Sequence, residues 1–140
     1  MTFDMGTVNW IAVIVAALLY FLLGALWYSK LAFARPWQEA IGWDESRTDE
    51  ANPITYLVPA LLYVVAGVAM AVLVALTGAD DFSDGITLGL LTGIGFALPM
   101  VGVEATFDPN KPKRLTWFAI TVAYHLIGFL ILGVVIAAWR

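Results

Sequence analysis

Four long stretches without a charged residue dominate this sequence: Val8–Tyr28, Ile54–Thr77, Gly85–Val103 and Leu115–Trp139. None of the seven basic and eleven acidic residues lies inside them. An α-helix rises ~1.5 Å per residue and the hydrocarbon core of a bilayer is about 30 Å thick, so roughly 20 apolar residues are enough to cross it. Each stretch is therefore long enough to form a transmembrane helix.

The composition favours lipid over water as the surroundings of this chain. Hydrophobic residues make up 61% of its 140 residues, and the mean hydropathy is +0.86. A globular domain of this length buries only roughly 70% of the surface that its unfolded chain exposes, which would leave large apolar patches in water. We therefore predict an all-α polytopic membrane protein, a single domain over residues 1–140, with helices over residues 8–28, 54–77, 85–106 and 115–139.

The connections between the stretches predict how the helices are arranged. The second and third connections are short and rich in turn residues, which predicts antiparallel neighbours in a four-helix bundle. The first connection is longer, and over residues 30–43 it mixes the bases Lys30 and Arg35 with aromatic residues around Pro36, with the candidate interfacial segment at residues 33–43. This pattern predicts a short helix lying on the cytoplasmic membrane surface.

The basic residues predict the orientation, because Lys and Arg near helix ends are retained on the cytoplasmic side. The second connection has no base, and only Arg140 follows the last stretch. The other six bases lie in the first and third connections: Lys30, Arg35, Arg47, Lys111, Lys113 and Arg114. We therefore expect a multi-pass protein of the cell (plasma) membrane with both termini outside and the first and third connections cytoplasmic.

The first helix and the loop after it carry a recognisable motif. Asn9 and Trp10 open the helix, Gly24, Trp27 and Tyr28 close it, and Pro36 and Trp37 follow. This N-W…G-x-x-W-Y…P-W pattern resembles an uncharacterised family of small four-helix prokaryotic integral membrane proteins, a domain of unknown function. The resemblance implies the four-helix membrane fold and no assigned activity. Asn9 is also suited to cap the helix, which we favour over a ligand-binding role.

Polar groups at membrane depth are costly and are therefore candidates for function. By helix position, His125, Tyr124, Tyr20 and Tyr63 lie at a similar mid-membrane depth. The cluster is either a proton relay or ligand contact, or a structural hydrogen bond between helices; we favour the second, because relays usually pair His with a carboxylate at the same depth. Glu104 lies roughly 10 Å nearer the cytoplasm, so we do not expect it to pair with His125.

A second candidate site lies at the cytoplasmic face. It consists of Glu104, Asp108, Lys111, Lys113 and Arg114. These residues predict either a local salt-bridge cap or a gate or lipid-headgroup site. Nearby, Pro59 and Pro99 interrupt the second and third helices in their cytoplasmic halves, and kinks there would splay the bundle.

Glycines spaced four residues apart line one face of the third helix. Gly85, Gly89 and Gly93 allow another backbone to approach closely. They serve either a homodimer seam or packing within the bundle, where the small residues Gly67, Ala71 and Ala75 of the second helix are a natural partner.

Several functions are excluded by what the sequence lacks. With one His and no Cys, the chain cannot by itself form a zinc or haem site, so we expect no metal, no cofactor and no catalytic residues. Few bases and a net charge of −4 argue against nucleic acid as a partner. We expect a non-enzymatic accessory, packing or partner-binding component that contacts membrane lipids, as a homo-oligomer or within a larger membrane complex. The alternative is a small transporter or channel that uses the mid-membrane His/Tyr cluster.

Overall fold

A computed structural model describes residues 4–44 and 52–140, and the helices of this part are joined by turns, with no β-strand among the described residues. A single 3-10 turn, Met5–Thr7, precedes the first helix. The helices are α1 (Trp10–Trp27), α2 (Ala34–Ala40), α3 (Pro53–Thr77), α4 (Phe82–Phe107) and α5 (Arg114–Ala138). All but α2 are long and apolar enough to span a membrane. The predicted all-α fold with four membrane-spanning helices is confirmed; Arg47 lies outside the described residues.

Polar side chains set where these helices begin. The Asn9 side chain accepts a hydrogen bond from the Ala12 amide at 3.1 Å, so it caps α1 as the sequence predicts. Asp81 accepts from the Asp84 amide at 2.8 Å. Because Asp81 caps the helix, α4 begins at Phe82, one turn earlier than the predicted start at Gly85.

Helix α5 lies at the centre of the bundle and packs against α1, α3 and α4. It runs antiparallel to α1 and α4. The first and third connections meet at one end, which we call the basic end, where the Lys113 amide donates to the Ala40 carbonyl at 3.3 Å. The opposite end, the terminal end, carries both termini, and there the Arg140 guanidinium donates to the Ala79 carbonyl at 3.3 Å.

The glycine face of α4 packs against α5. A Cβ added at Gly85 would lie 2.6 Å from the Val134 Cα, and one added at Gly89 would lie 2.8 Å from the Leu130 Cα. The expectation that these glycines pack against the small residues of α3 is wrong, because Gly133 of α5 faces Gly85 and allows the two backbones to touch. A homodimer seam cannot use a face that α5 already covers.

Helices α3 and α4 contact each other little, although a short connection joins them. The prediction that these two helices are antiparallel neighbours is therefore wrong for most of their length. Helix α4 is π-helical over Gly93–Ala97. Pro99, just beyond, has no N–H and its ring crowds the preceding turn, and the wider π turn accommodates this. The irregular turn and Pro59 in α3 lie where the two helices separate.

Two apolar cores fill the bundle. The larger core includes Val13, Met70, Val74, Leu132 and Ile136 and occupies the terminal half. The smaller core, at the basic end, joins α2 to α4 and α5 and consists of Ala40, Val101, Trp117 and Val122. Helix α2 is thus a packed part of the basic end.

Candidate functional site

The four residues predicted to share the mid-membrane level are brought together between α1, α3 and α5. The Tyr20 Oη lies 2.6 Å from the His125 Nδ1, and the Tyr63 and Tyr124 hydroxyl oxygens lie 2.7 Å apart. The rings of Tyr20 and Tyr63 are stacked, with centroids 4.2 Å apart. Two hydrogen bonds and one stacked pair therefore connect three helices at this level.

Two glycines provide the space that this cluster occupies. A Cβ at Gly128 would lie 1.9 Å from the Tyr20 Cε2, and one at Gly24 would lie 2.8 Å from the Tyr124 Oη. Sequence reasoning assigned Gly24 to the motif but missed Gly128. The available signal was a glycine three residues after the only histidine, on the same face of the helix.

A groove of about 510 Å³ lies beside this cluster, between the diverging parts of α3 and α4. Its floor is formed by Tyr20, His125 and Phe129. Its walls are formed by Pro59, Leu62, Tyr63 and Ala66 of α3 and by Phe96, Ala97, Met100, Val101 and Glu104 of α4. Leu62, Phe96 and Met100 are 58%, 63% and 72% exposed, so the groove is open at the outer surface of the bundle.

The groove offers few polar groups within an apolar wall. The Nδ1 of His125 is occupied by Tyr20. Its Nε2 has no hydrogen-bond partner among the described residues. Glu104 lines the same groove nearer the basic end, but its carboxylate accepts from the Lys111 ammonium at 3.0 Å. The imidazole Nε2 is thus the polar group most available to a molecule in the groove.

The residues of the predicted cytoplasmic-face site separate into three groups. Lys111 pairs with Glu104 and Asp108, and its ammonium lies 4.1 Å from the centre of the Trp117 ring. Lys113 pairs with Glu39 of α2 at 2.7 Å. Arg114 donates to the Thr106 carbonyl at 3.4 Å.

These ion pairs lower the pKa of two acidic groups at the basic end. The hydrogen bond from Lys111 lowers the pKa of Asp108, and that from Lys113 lowers the pKa of Glu39. Both carboxylates are thereby kept ionised, so the turn between α4 and α5 is a salt-bridged cap.

Three aspartates at the start of α4 and just before it also lie together, which the sequence reasoning did not anticipate. The carboxylate oxygens of Asp80, Asp81 and Asp84 lie within 4.8 Å of one another. Asp81 caps α4, and Asp84 accepts from the Asp80 amide at 3.3 Å. Capping of the helix accounts for this arrangement.

Comparison with known families identifies the chain. The family described as "Protein of unknown function (DUF1761)" matches residues 11–137. The chain belongs to this family. The match spans the groove, the His/Tyr cluster and the packed glycines, so the predicted resemblance is confirmed. No curated protein and no solved structure matches the chain.

In this DUF1761 protein, the motif residues hold α1 and α2 against α5. The Asn9 side-chain amide donates to the Trp139 carbonyl at 2.7 Å, and the Trp27 indole donates to the Ile120 carbonyl at 3.1 Å. The rings of Tyr28 and Trp37 of α2 are in contact edge to face, with their centroids 5.2 Å apart. Pro36 lies one residue before Trp37 in α2. Trp10 is 43% exposed at the start of α1. Most of the motif therefore positions helices around the cluster.

Proposed function

We propose that this protein is a non-enzymatic membrane component that binds a lipid-soluble amphiphile in the groove between α3 and α4. The observation that carries the proposal is that an exposed groove between two membrane-spanning helices ends at His125. A molecule dissolved in the bilayer can enter such a groove sideways. Ligand sites are typically apolar clefts with a few polar groups that fix orientation, which describes this groove.

The chemistry of the groove selects a ligand with a neutral head. A charged head would be costly at this depth without a partner, and the one acid in the wall is already paired with Lys111. An imidazole nitrogen bonds well to a hydroxyl or carbonyl group. The apolar walls, including Leu62, Phe96 and Met100, suit a hydrocarbon tail or ring. The ligand class is therefore a long-chain alcohol, ketone or similar amphiphile.

The surroundings of His125 support binding over catalysis. Its Nδ1 pairs with a phenol, and within the described ranges no carboxylate lies within ion-pair distance of the ring. A catalytic base is usually oriented by an acid in that position. The positive-inside rule supports a plasma-membrane orientation with the basic end in the cytoplasm, so the groove would open in the inner leaflet.

Transport is a second candidate, because Glu104 and His125 line one groove that leads from the basic end to the middle of the bundle. A transporter also needs a path through the terminal half. There, Gly85 and Gly89 bring the backbones of α4 and α5 into contact, and Val13, Met70 and Leu132 are fully buried. Proton flux into proteoliposomes that is lost in His125→Leu would favour transport.

Photo-crosslinking tests the binding proposal. The full chain is reconstituted in vesicles with a diazirine-bearing C16 alcohol, and the labelled residues are mapped by mass spectrometry. We expect the label on groove residues of α3 and α4. Ala66→Phe fills the groove and should reduce labelling about tenfold, the factor that ~1.4 kcal/mol of lost binding produces.

The matched control is Val65→Phe, which adds the same ring on the neighbouring residue, 64% exposed and outside the groove. Its labelling should equal that of the wild type. Label spread evenly over all lipid-facing helices, or an equal loss in both variants, would contradict the proposal.

A further inference from the structure

A second groove lies at the basic end, between α4 and α5. It has a volume of about 510 Å³ and is lined by Gly102, Ala105, Thr106, Arg114, Leu115 and Phe118. It shares no residue with the groove that ends at His125. Leu115 is 83% exposed, so this groove too faces the surroundings of the bundle.

Arg114 is the basic residue of this groove, and its side chain is available to bind a ligand. The neighbouring bases are neutralised, Lys111 by Glu104 and Asp108 and Lys113 by Glu39. Within residues 4–44 and 52–140, no carboxylate pairs with Arg114. Its one hydrogen bond in that part of the chain goes to the Thr106 carbonyl, so the described residues leave most of its five N–H donors available. Among the described residues, the guanidinium at the groove mouth therefore has no carboxylate to balance its charge.

We propose that this groove binds an anionic phospholipid. Arg114 would hold the phosphate through paired N–H donors, a geometry that guanidinium groups favour. The apolar residues below it would take the upper part of an acyl chain. Gly102 to Thr106 and Arg114 to Phe118 each span about 6 Å of helix, enough for the glycerol and the first methylenes.

The position and the charge of Arg114 both favour an anionic phospholipid as the ligand of this groove. Arg114 is the first residue of a membrane-spanning helix, which places it at the level of the headgroups. Basic pockets between transmembrane helices are suited to anionic lipid heads. A zwitterionic lipid would bring its own cation next to the arginine and gain less.

Native mass spectrometry tests the proposal on the full chain in a nonionic detergent. Phosphatidylglycerol or phosphatidylcholine is added at equal concentration, and the lipid-bound fraction is measured. We expect a preference for phosphatidylglycerol that falls about fivefold in Arg114→Gln, the fold-change equivalent to ~1 kcal/mol for one base at an anionic surface.

Lys113→Gln is the matched control, since it removes the same charge from the adjacent residue, which is paired with Glu39. It should leave binding within twofold of the wild type, by the scale on which tenfold is ~1.4 kcal/mol. Gly102→Leu fills the groove without changing charge and should also weaken binding. A Cβ there lies 3.5 Å from the Phe118 ring, an ordinary contact, so the backbone tolerates it.

Three results would overturn the proposal. One is equal binding of both lipids to the wild type, and another is an equal loss in Arg114→Gln and Lys113→Gln. The third is a protein dimer that Arg114→Gln dissociates while lipid binding stays unchanged, which would make the groove an interface between two copies.

Discussion

The contact between α4 and α5 at Gly85 gives the sharpest test of the packing. In Gly85→Ala, the new methyl would lie 2.6 Å from the Val134 Cα and 2.7 Å from the Gly133 carbonyl oxygen. Ordinary contact begins at 3.4 Å, and both neighbours are backbone atoms that no rotamer change can move. The two helices must therefore separate by roughly 1 Å, which weakens van der Waals contacts along the interface.

Overpacking of this kind costs about 1 to 3 kcal/mol. At ~2.1 cal/mol/K of unfolding entropy per residue, a loss of ~2 kcal/mol lowers the Tm of a chain of this length by about 7 °C. The Tm is followed by tryptophan fluorescence in detergent.

The control for Gly85→Ala is Gly95→Ala in the same helix, where a Cβ would meet nothing within 4 Å. It should melt at or slightly above the wild-type temperature, since Ala has the better helix propensity. If Gly85→Ala melted like the wild type, or Gly95→Ala fell equally far, the packing argument would be refuted.

Three further predictions concern single hydrogen bonds and one ion pair. Tyr20→Phe removes the hydrogen bond to the imidazole. A hydrogen bond between membrane helices contributes ~0.6 kcal/mol, so the Tm should fall by about 2 °C. The control is Tyr56→Phe, because Tyr56 is 58% exposed on α3 and its substitution should leave the Tm unchanged. Asn9→Ala loses the helix cap and the hydrogen bond to the end of α5. We therefore expect the free energy of unfolding to fall by ~1 kcal/mol and the Tm by about 3 °C. An unchanged Tm would contradict the capping role. Lys111 lowers the pKa of Asp108 in the folded state. The ion pair therefore stabilises the fold fully above the unfolded-state pKa of ~3.9, and this stabilisation is lost as pH falls through the folded-state pKa. The Tm difference between wild type and Asp108→Asn should therefore shrink as pH falls below about 4 and vanish once pH is below the folded-state pKa of Asp108, and a difference that persists in stronger acid would rule out the ion pair.

The membrane-spanning helices were predictable because their signal is local. An apolar stretch free of charges is readable from the sequence alone, and so are capping residues such as Asn9. The depth of His125 follows from counting along α5, so its cluster with Tyr20 is predictable from the positions of the residues in their helices.

The partners of each helix were not predictable in the same way. The glycine face of α4 had two plausible partners, and the choice of α5 depended on Gly133, which stands opposite Gly85 only once the helices are aligned. The groove likewise arises from the separation of α3 and α4, a property of two helices together. The sequence also does not show which basic residues are paired. Lys113 pairs with Glu39 of α2, and this ion pair depends on where that short helix packs.

We propose that lipid surrounds this bundle with its basic end in the cytoplasm, so that the groove at His125 is reached from the inner leaflet. The chain has no cysteine, so single cysteines can be introduced as unique labels. Ser83→Cys at the terminal end and Asn110→Cys at the basic end are treated in intact cells with a membrane-impermeant maleimide. We predict that Ser83→Cys is labelled at once and that Asn110→Cys is labelled only after permeabilisation. Labelling of both in sealed cells, or the reverse pattern, would contradict the account.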